Sequence, residues 1–270
     1  MALYGVVSAI HGNAEALAAA LAALERRGAT RLICLGDIVG YNADPDECVQ
    51  LLRAKRATSI AGKHDLMATG RLDLERCPPR TQYSLRRTRQ ALSRPAAQWL
   101  ASLAPCQPLD ERIVLAHGGV RDPQQYMTHP RDLRQNAGFL ATDFPTARLC
   151  FFGNSHARRV ARIDADDITE LRADAHSSTV QLDRNALFFV NPGAVDAQRR
   201  REHRLAECAL FDSLEWTVEF LRVRYDAAST EAKAAVFGYR INGLAEGIYG
   251  LRRRLAFKRA ASTGRAGRAA

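Results

Sequence analysis

Residues 3–13 read LYGVVSAIHGN, an apolar run that stops abruptly at a histidine, a glycine and an asparagine. Leu3, Tyr4, Val6 and Val7 form a short stretch with β-branched members, the pattern of a strand covered on both faces. The period then changes, with Ala14, Leu17, Ala18, Leu21 and Leu24 recurring at helical spacing over residues 14–27. Asn13 stands where a helix N-cap belongs. A strand–turn–helix of this kind puts its turn where open α/β sheets bind ligands. Chemistry is therefore expected beside His11.

The 270 residues can bury a large core, and 47% apolar with 25% charged residues is a globular composition rather than a disordered one. No apolar run approaches a membrane span, and the first residues lack the basic n-region of a secretory signal. The six cysteines lie far apart with no CxxC pair, so reduced thiols in a cytoplasmic protein are expected. The net charge of +10 is uneven, because residues 251–270 carry seven basic residues and no acid, which leaves +3 for residues 1–250. The expected organisation is one domain over 1–250 followed by a basic helix end and tail over 251–270. Residues 248–259 read as a basic amphipathic helix with Ile248, Leu251 and Leu255 on one side, packed on the sandwich with a solvated arginine face; the alternative is nucleic-acid or anionic-surface contact through that tail rather than the fold.

Further strands are expected at 31–35, 57–60, 113–116 and 149–152, with helices from Pro45 and across 67–104. The stretch 121–146 reads as loop and irregular helix. Short strands then follow at 160–163, 168–171, 179–182, 186–190, 206–211 and 217–224, and helices over 230–237 and 244–257. Alternating β and α followed by consecutive strands suggests two packed sheets with helices outside.

Five of these strands end in polar or metal-capable residues: His11, Asp37, Lys63-His64-Asp65, His117 and Asn154-Ser155-His156. One histidine after a strand is usually a hydrogen-bonded loop residue. Four of the seven histidines and an aspartate at successive strand ends are harder to dismiss, since strand carboxyl ends converge in space. Histidine nitrogens with a bridging carboxylate are ligands for a divalent transition metal such as Mn, Fe or Zn. His129, His176 and His203 lie in polar stretches and read as surface residues.

The order IHGN, GDIVGY, GKHD, HGG, GNSH and NPGAV resembles the calcineurin-like metallophosphoesterases, in particular their small bacterial phosphodiesterase-type members. The resemblance covers about residues 3–226. It implies an α/β fold, a four-layer α/β/β/α sandwich of two mixed sheets, around a dinuclear centre acting on small phosphoester substrates or ligands. It implies His11 and His156 as ligands of the first metal, Asp37 as the bridge and His117 as a ligand of the second. It further implies His64 as the histidine that meets the phosphoryl group or protonates the leaving group, with Asp65 orienting it.

The sequence departs from the family pattern at three of seven ligand positions. Ala9 stands for an aspartate, Lys63 for an asparagine and Asn154 for a histidine. The ligand-set charge thereby goes from −2 to 0. A unit charge pair 4 Å apart is worth about 4 kcal/mol at an effective dielectric of 20, so Lys63 against a divalent ion would cost roughly 8 kcal/mol. The expectation is one ion or none rather than two, with the Lys63 ammonium in or facing the second place. That leaves at best a weak, single-metal phosphoesterase, or alternatively a catalytically inactive phospho-ligand or partner-binding pseudoenzyme.

Overall fold

A computed structural model describes residues 2–75, 77–164, 167–171, 179–196 and 205–239. The helix expected over 244–257, the basic tail, His176 and His203 lie outside these residues. One six-stranded sheet joins β3 (Thr58–Ser59), β2 (Arg31–Cys34), β1 (Leu3–Val7), β11 (Leu205–Asp212), β12 (Thr217–Arg224) and β9 (Thr179–Gln181), in that order. The other joins β4 (Cys106–Pro108), β5 (Ile113–Ala116), β6 (Leu149–Phe152), β10 (Leu187–Asn191), β7 (Arg159–Ile163) and β8 (Ile168–Leu171). Both are mixed. β1 runs parallel to β2 but antiparallel to β11, and β10 runs parallel to β6 but antiparallel to β7.

Alternation along each strand divides the apolar residues into three layers. Tyr4, Val6, Ile33 and Leu35 meet Ile113, Leu115, Leu149, Phe151, Phe188 and Val190 between the sheets. Their neighbours Val7 and Cys34 point the other way, against Leu17, Leu21 and Leu24 of helix α1 (Ala14–Arg26). Val114, Cys150, Phe152 and Phe189 cover the far face of the second sheet with Leu133 and Leu140 of a later helix. Three apolar layers require four layers of secondary structure, which is the α/β/β/α sandwich expected from the sequence.

The expected strands and the first helices are present with ends shifted by a residue or two. Asn13 caps α1, its Oδ1 accepting from the Ala16 N–H at 3.0 Å. α2 (Pro45–Ala54), α4 (Pro79–Ala91) and α5 (Arg94–Ser102) each carry proline in their first turn, where its missing N–H costs nothing. Four elements differ from the sequence reading. The stretch 121–146 contains a regular fourteen-residue helix, α6 (Pro130–Asp143), whose buried face is only Leu133, Asn136 and Leu140, too sparse an apolar stripe to register. α3 (Lys63–Ala68) and β4 are short and were not anticipated. The last described helix, α7 (Ala227–Val236), starts ahead of the expected residue 230. No helix among the described residues is long and apolar enough to cross a membrane, and all six cysteines are free.

Phe151 is fully buried between the sheets, its ring 5.4 Å from that of Phe211 in edge-to-face contact. Phe151→Ala is expected to destabilise the fold by about 3–5 kcal/mol, read as a lower midpoint in urea unfolding. A loss below about 1 kcal/mol would mean that this layer does not hold the sheets together.

Candidate active site

The chain turns sharply after β1, β2 and β6, and at each turn residues other than glycine adopt left-handed backbone. Ala9 (φ 51°), His11 (54°), Asp37 (53°), Asn154 (58°) and His156 (58°) all do so. Such conformations are strained for side chains with a Cβ and persist only where their surroundings fix them. Here the turns are laced together: the Ala9 N–H donates to Gly36 O, His11 N–H to Asp37 O and Gly12 N–H to Ile38 O, at 3.0, 2.9 and 2.8 Å. Gly62 completes the lacing, because a Cβ there would lie 2.1 Å from the Asp37 nitrogen.

This backbone brings His11, Asp37 and His156 together, with ligand-capable atoms all within 4.8 Å of one another. The Nε2 atoms of His11 and His156 are 3.3 Å apart, and His11 Nε2 is 3.8 Å from Asp37 Oδ2. Two nitrogens bonded at 2.0–2.1 Å to one tetrahedral cation would be about 3.3 Å apart. Asp37 Oδ2 is buried and accepts no hydrogen bond among the described residues. An orphaned carboxylate oxygen facing converging imidazoles fits a divalent transition ion. His117 lies on the other oxygen, its Nδ1–H donating to Leu35 O at 2.6 Å and its Nε2 3.3 Å from Asp37 Oδ1. Burial works to raise the Asp37 pKa, but His117, His64 and His11 outweigh it and hold the carboxyl well below the usual range. Burial likewise lowers the His117 pKa, and Asp37 more than restores it.

The three replaced positions have their own arrangement. Ala9 is fully buried. The Lys63 ammonium donates to Asn154 Oδ1 at 2.6 Å and to the Tyr126 hydroxyl, and lies 4.1 Å from the Tyr126 ring centroid. Two of the three replacements are therefore bonded to each other. Asn154 in turn donates through Nδ2 to the carbonyls of Gln124 and Gln125.

His64 is buried, its ring centroid 4.7 Å from those of both His11 and Tyr41, and its backbone N–H donates to Asp37 Oδ1 at 2.8 Å. Asp65 stands at the same turn, fully buried. Its carboxylate accepts from backbone N–H groups, Ile38 and Val39 at Oδ1 (2.9 and 3.1 Å) and Gly62 at Oδ2 (2.8 Å). It therefore shapes the Asp37 turn and the start of α3. Burial and the nearby Asp37 push its carboxyl up to about 7, against the pull of the three donors.

Asn42, Asp196 and Thr230 carried no motif signal, and they join Asn13 behind the His11 turn. Asn42 donates from Nδ2 both to the His11 carbonyl and to Asp196 Oδ2, at 3.1 Å each, and Asn13 donates to Asp196 Oδ1 at 3.0 Å. The Thr230 hydroxyl of α7 bonds Asn13 Oδ1 at 3.1 Å. An asparagine pair converging on one buried carboxylate across more than 150 positions leaves no local pattern. Arg121 and Asp122, adjacent to the His117 motif, do not reach the site: Arg121 pairs bidentately with Asp143, and Asp122 caps the Gln124 N–H.

Two facing mixed sheets with histidines and an aspartate gathered at their strand ends are the architecture of the metallophosphoesterase fold. Residues 2–214 match the model of the calcineurin-like phosphoesterase superfamily domain, and the chain belongs to that family. It is 28% identical over 231 residues to the uncharacterized protein MJ0912 of Methanocaldococcus jannaschii, covering 83% of this chain and 88% of that one. A crystal structure of a metallophosphoesterase from Sphaerobacter thermophilus is 29% identical, superposes with a TM-score of 0.72, and matches over 92% of this chain and 98% of its own. The hypothetical protein PH1004 of Pyrococcus horikoshii, at 19% identity and a TM-score of 0.64 over 89% and 95% of the two chains, shares the fold.

Asp65→Ala would leave three buried N–H groups without their acceptor, at a cost of about 1–3 kcal/mol each. The variant is expected to lose several kcal/mol of stability in urea unfolding. A variant as stable as the parent would remove Asp65 from the support of the Asp37 turn.

Proposed function

We propose that this protein binds phosphoesters through a single divalent transition ion held by His11, Asp37 and His156, with the Lys63 ammonium in place of a second ion. Its hydrolytic activity is at best weak. The observation that carries this reading is the 2.6 Å bond from Lys63 to Asn154. It commits the one oxygen donor that replaces a histidine in the family pattern to an organic cation instead. Hydrolysis requires a water oxygen to bond to phosphorus as the ester P–O bond breaks, and a proton for the departing oxygen. The ion, when bound, polarises a phosphoryl oxygen and lowers the pKa of a water. Lys63 contributes a point charge for another phosphoryl oxygen. His64 delivers the proton to the leaving oxygen, and His117 keeps the Asp37 carboxylate aimed from its far side. The Ala9 methyl favours a second reading, that of a pseudoenzyme keeping the phosphate site without turnover.

Metal analysis after Mn loading is expected to give one equivalent per chain, falling to background in His11→Ala. The triple variant Ala9→Asp, Lys63→Asn, Asn154→His is expected to bind two equivalents and to hydrolyse an aryl phosphodiester faster by about tenfold or more. Two equivalents in the parent chain would overturn the single-ion reading. Bound metal without hydrolysis above background would decide for the pseudoenzyme.

A further inference from the structure

Four large apolar side chains are exposed among the described residues: Tyr126, Leu214, Val236 and Phe237. Tyr126, at 48% exposure, is the one joined to the strand-end site, through its hydroxyl bond to Lys63. Tyr41, by contrast, packs on His11 and His64 and bonds Thr81.

The loop that carries Tyr126 is pinned on every side. Gly118 and Gly119 let it pass closely over the His117 turn, since a Cβ at Gly118 would lie 2.6 Å from the Gln125 carbonyl and one at Gly119 2.2 Å from Gln125 Oε1. Asn136 donates to Gln125 Oε1 at 3.0 Å, and Gln125 donates to Gln135 at 2.9 Å. Asn154 holds the carbonyls of residues 124 and 125, while Arg159 holds those of Met127 and Thr128 at 2.9 and 3.1 Å. Met127 itself is buried.

We propose that Tyr126 is a stacking platform, and that this site takes phosphoesters whose alcohol carries a flat aromatic ring. The inference rests on the phosphate-binding reading above and adds its substrate class. A half-exposed ring on a fully tied loop has little freedom left to lose on binding, so contact with a second ring is gained at low entropic cost. Its tether to Lys63 sets the ring beside the cation that receives the phosphoryl group. Stacking of a base on an aromatic side chain is worth about 5- to 150-fold in affinity.

Calorimetric titration of the full chain with inorganic phosphate, glycerol 3-phosphate, phenyl phosphate and adenosine 5′-monophosphate tests this. At least one aromatic ester is expected to bind about tenfold tighter than glycerol 3-phosphate. That ratio should fall to about one in Tyr126→Leu and survive in Tyr126→Phe, which keeps the ring but not the hydroxyl. Whichever aromatic ester gains more tells whether the ring is joined to phosphate directly or through a sugar, and either result supports the proposal. Equal affinities in the parent chain, or a preference that survives in Tyr126→Leu, would overturn this inference alone. Failure of both inorganic phosphate and glycerol 3-phosphate to bind would overturn the phosphate-site reading and this proposal with it.

Discussion

A carboxylate buried among imidazoles sets the terms for the rest of this molecule. Asp37 has no exposed surface, and a charge in that position is tolerated only when every neighbour favours it. One oxygen takes the His64 N–H and faces His117, while the other faces His11. Each of these partners sits at the end of a different segment, so one charge ties the carboxyl ends of three strand–turn units to a common point. The second sheet is required to deliver His117 and His156, and the first to deliver His11 and Asp37. The sandwich is the smallest arrangement here that brings all four together.

The strain in the turns follows from the same requirement. Five residues with side chains occupy left-handed backbone at the site, a conformation costing on the order of 1–2 kcal/mol for such residues. Hydrogen bonds between the turns, from Ala9, His11 and Gly12 to residues 36–38, help to meet the cost. Asp65 contributes by gathering three N–H groups from two segments. The Asn13–Asp196–Asn42 cluster does so from the opposite side of His11 in sequence, reaching the His11 carbonyl through Asn42.

Much of this was legible in the residues. The strand-end positions of His11, Asp37, His117 and His156 follow from apolar runs that stop at polar clusters, and the structure brings all four together. The period change at Ala14 marked α1 and its cap correctly. What escaped was either too short or too sparsely apolar to produce a period, as with α3 and α6, or depended on pairs far apart in sequence. Lys63 and Asn154 could each be recognised as a departure from the family pattern, but not as partners of one another. The resemblance gave Asp65 an orienting role toward His64 and said nothing of its backbone contacts. The helix that begins at Lys63 turns that carboxylate back onto Gly62 and across to the residues after Asp37. Tyr126 has no signal of its own, since its placement comes from the glycines at 118 and 119 and from the residues that hold the loop.

The pairing of β1 with β11 has a consequence for how the protein comes to exist. Leu3 is opposite Asp212 in that ladder, so β1 can join β2 early but has to wait for most of the chain before its other edge is covered. Closing so long a loop is slow, and an apolar strand with one open edge is prone to wrong pairing in the meantime. His11 stands at the end of that strand, and Asp196 is supplied from the segment between β10 and β11. The network behind the His11 turn is thus completed only when the segment before β11 is in place, so the geometry of that turn depends on residues far along the chain.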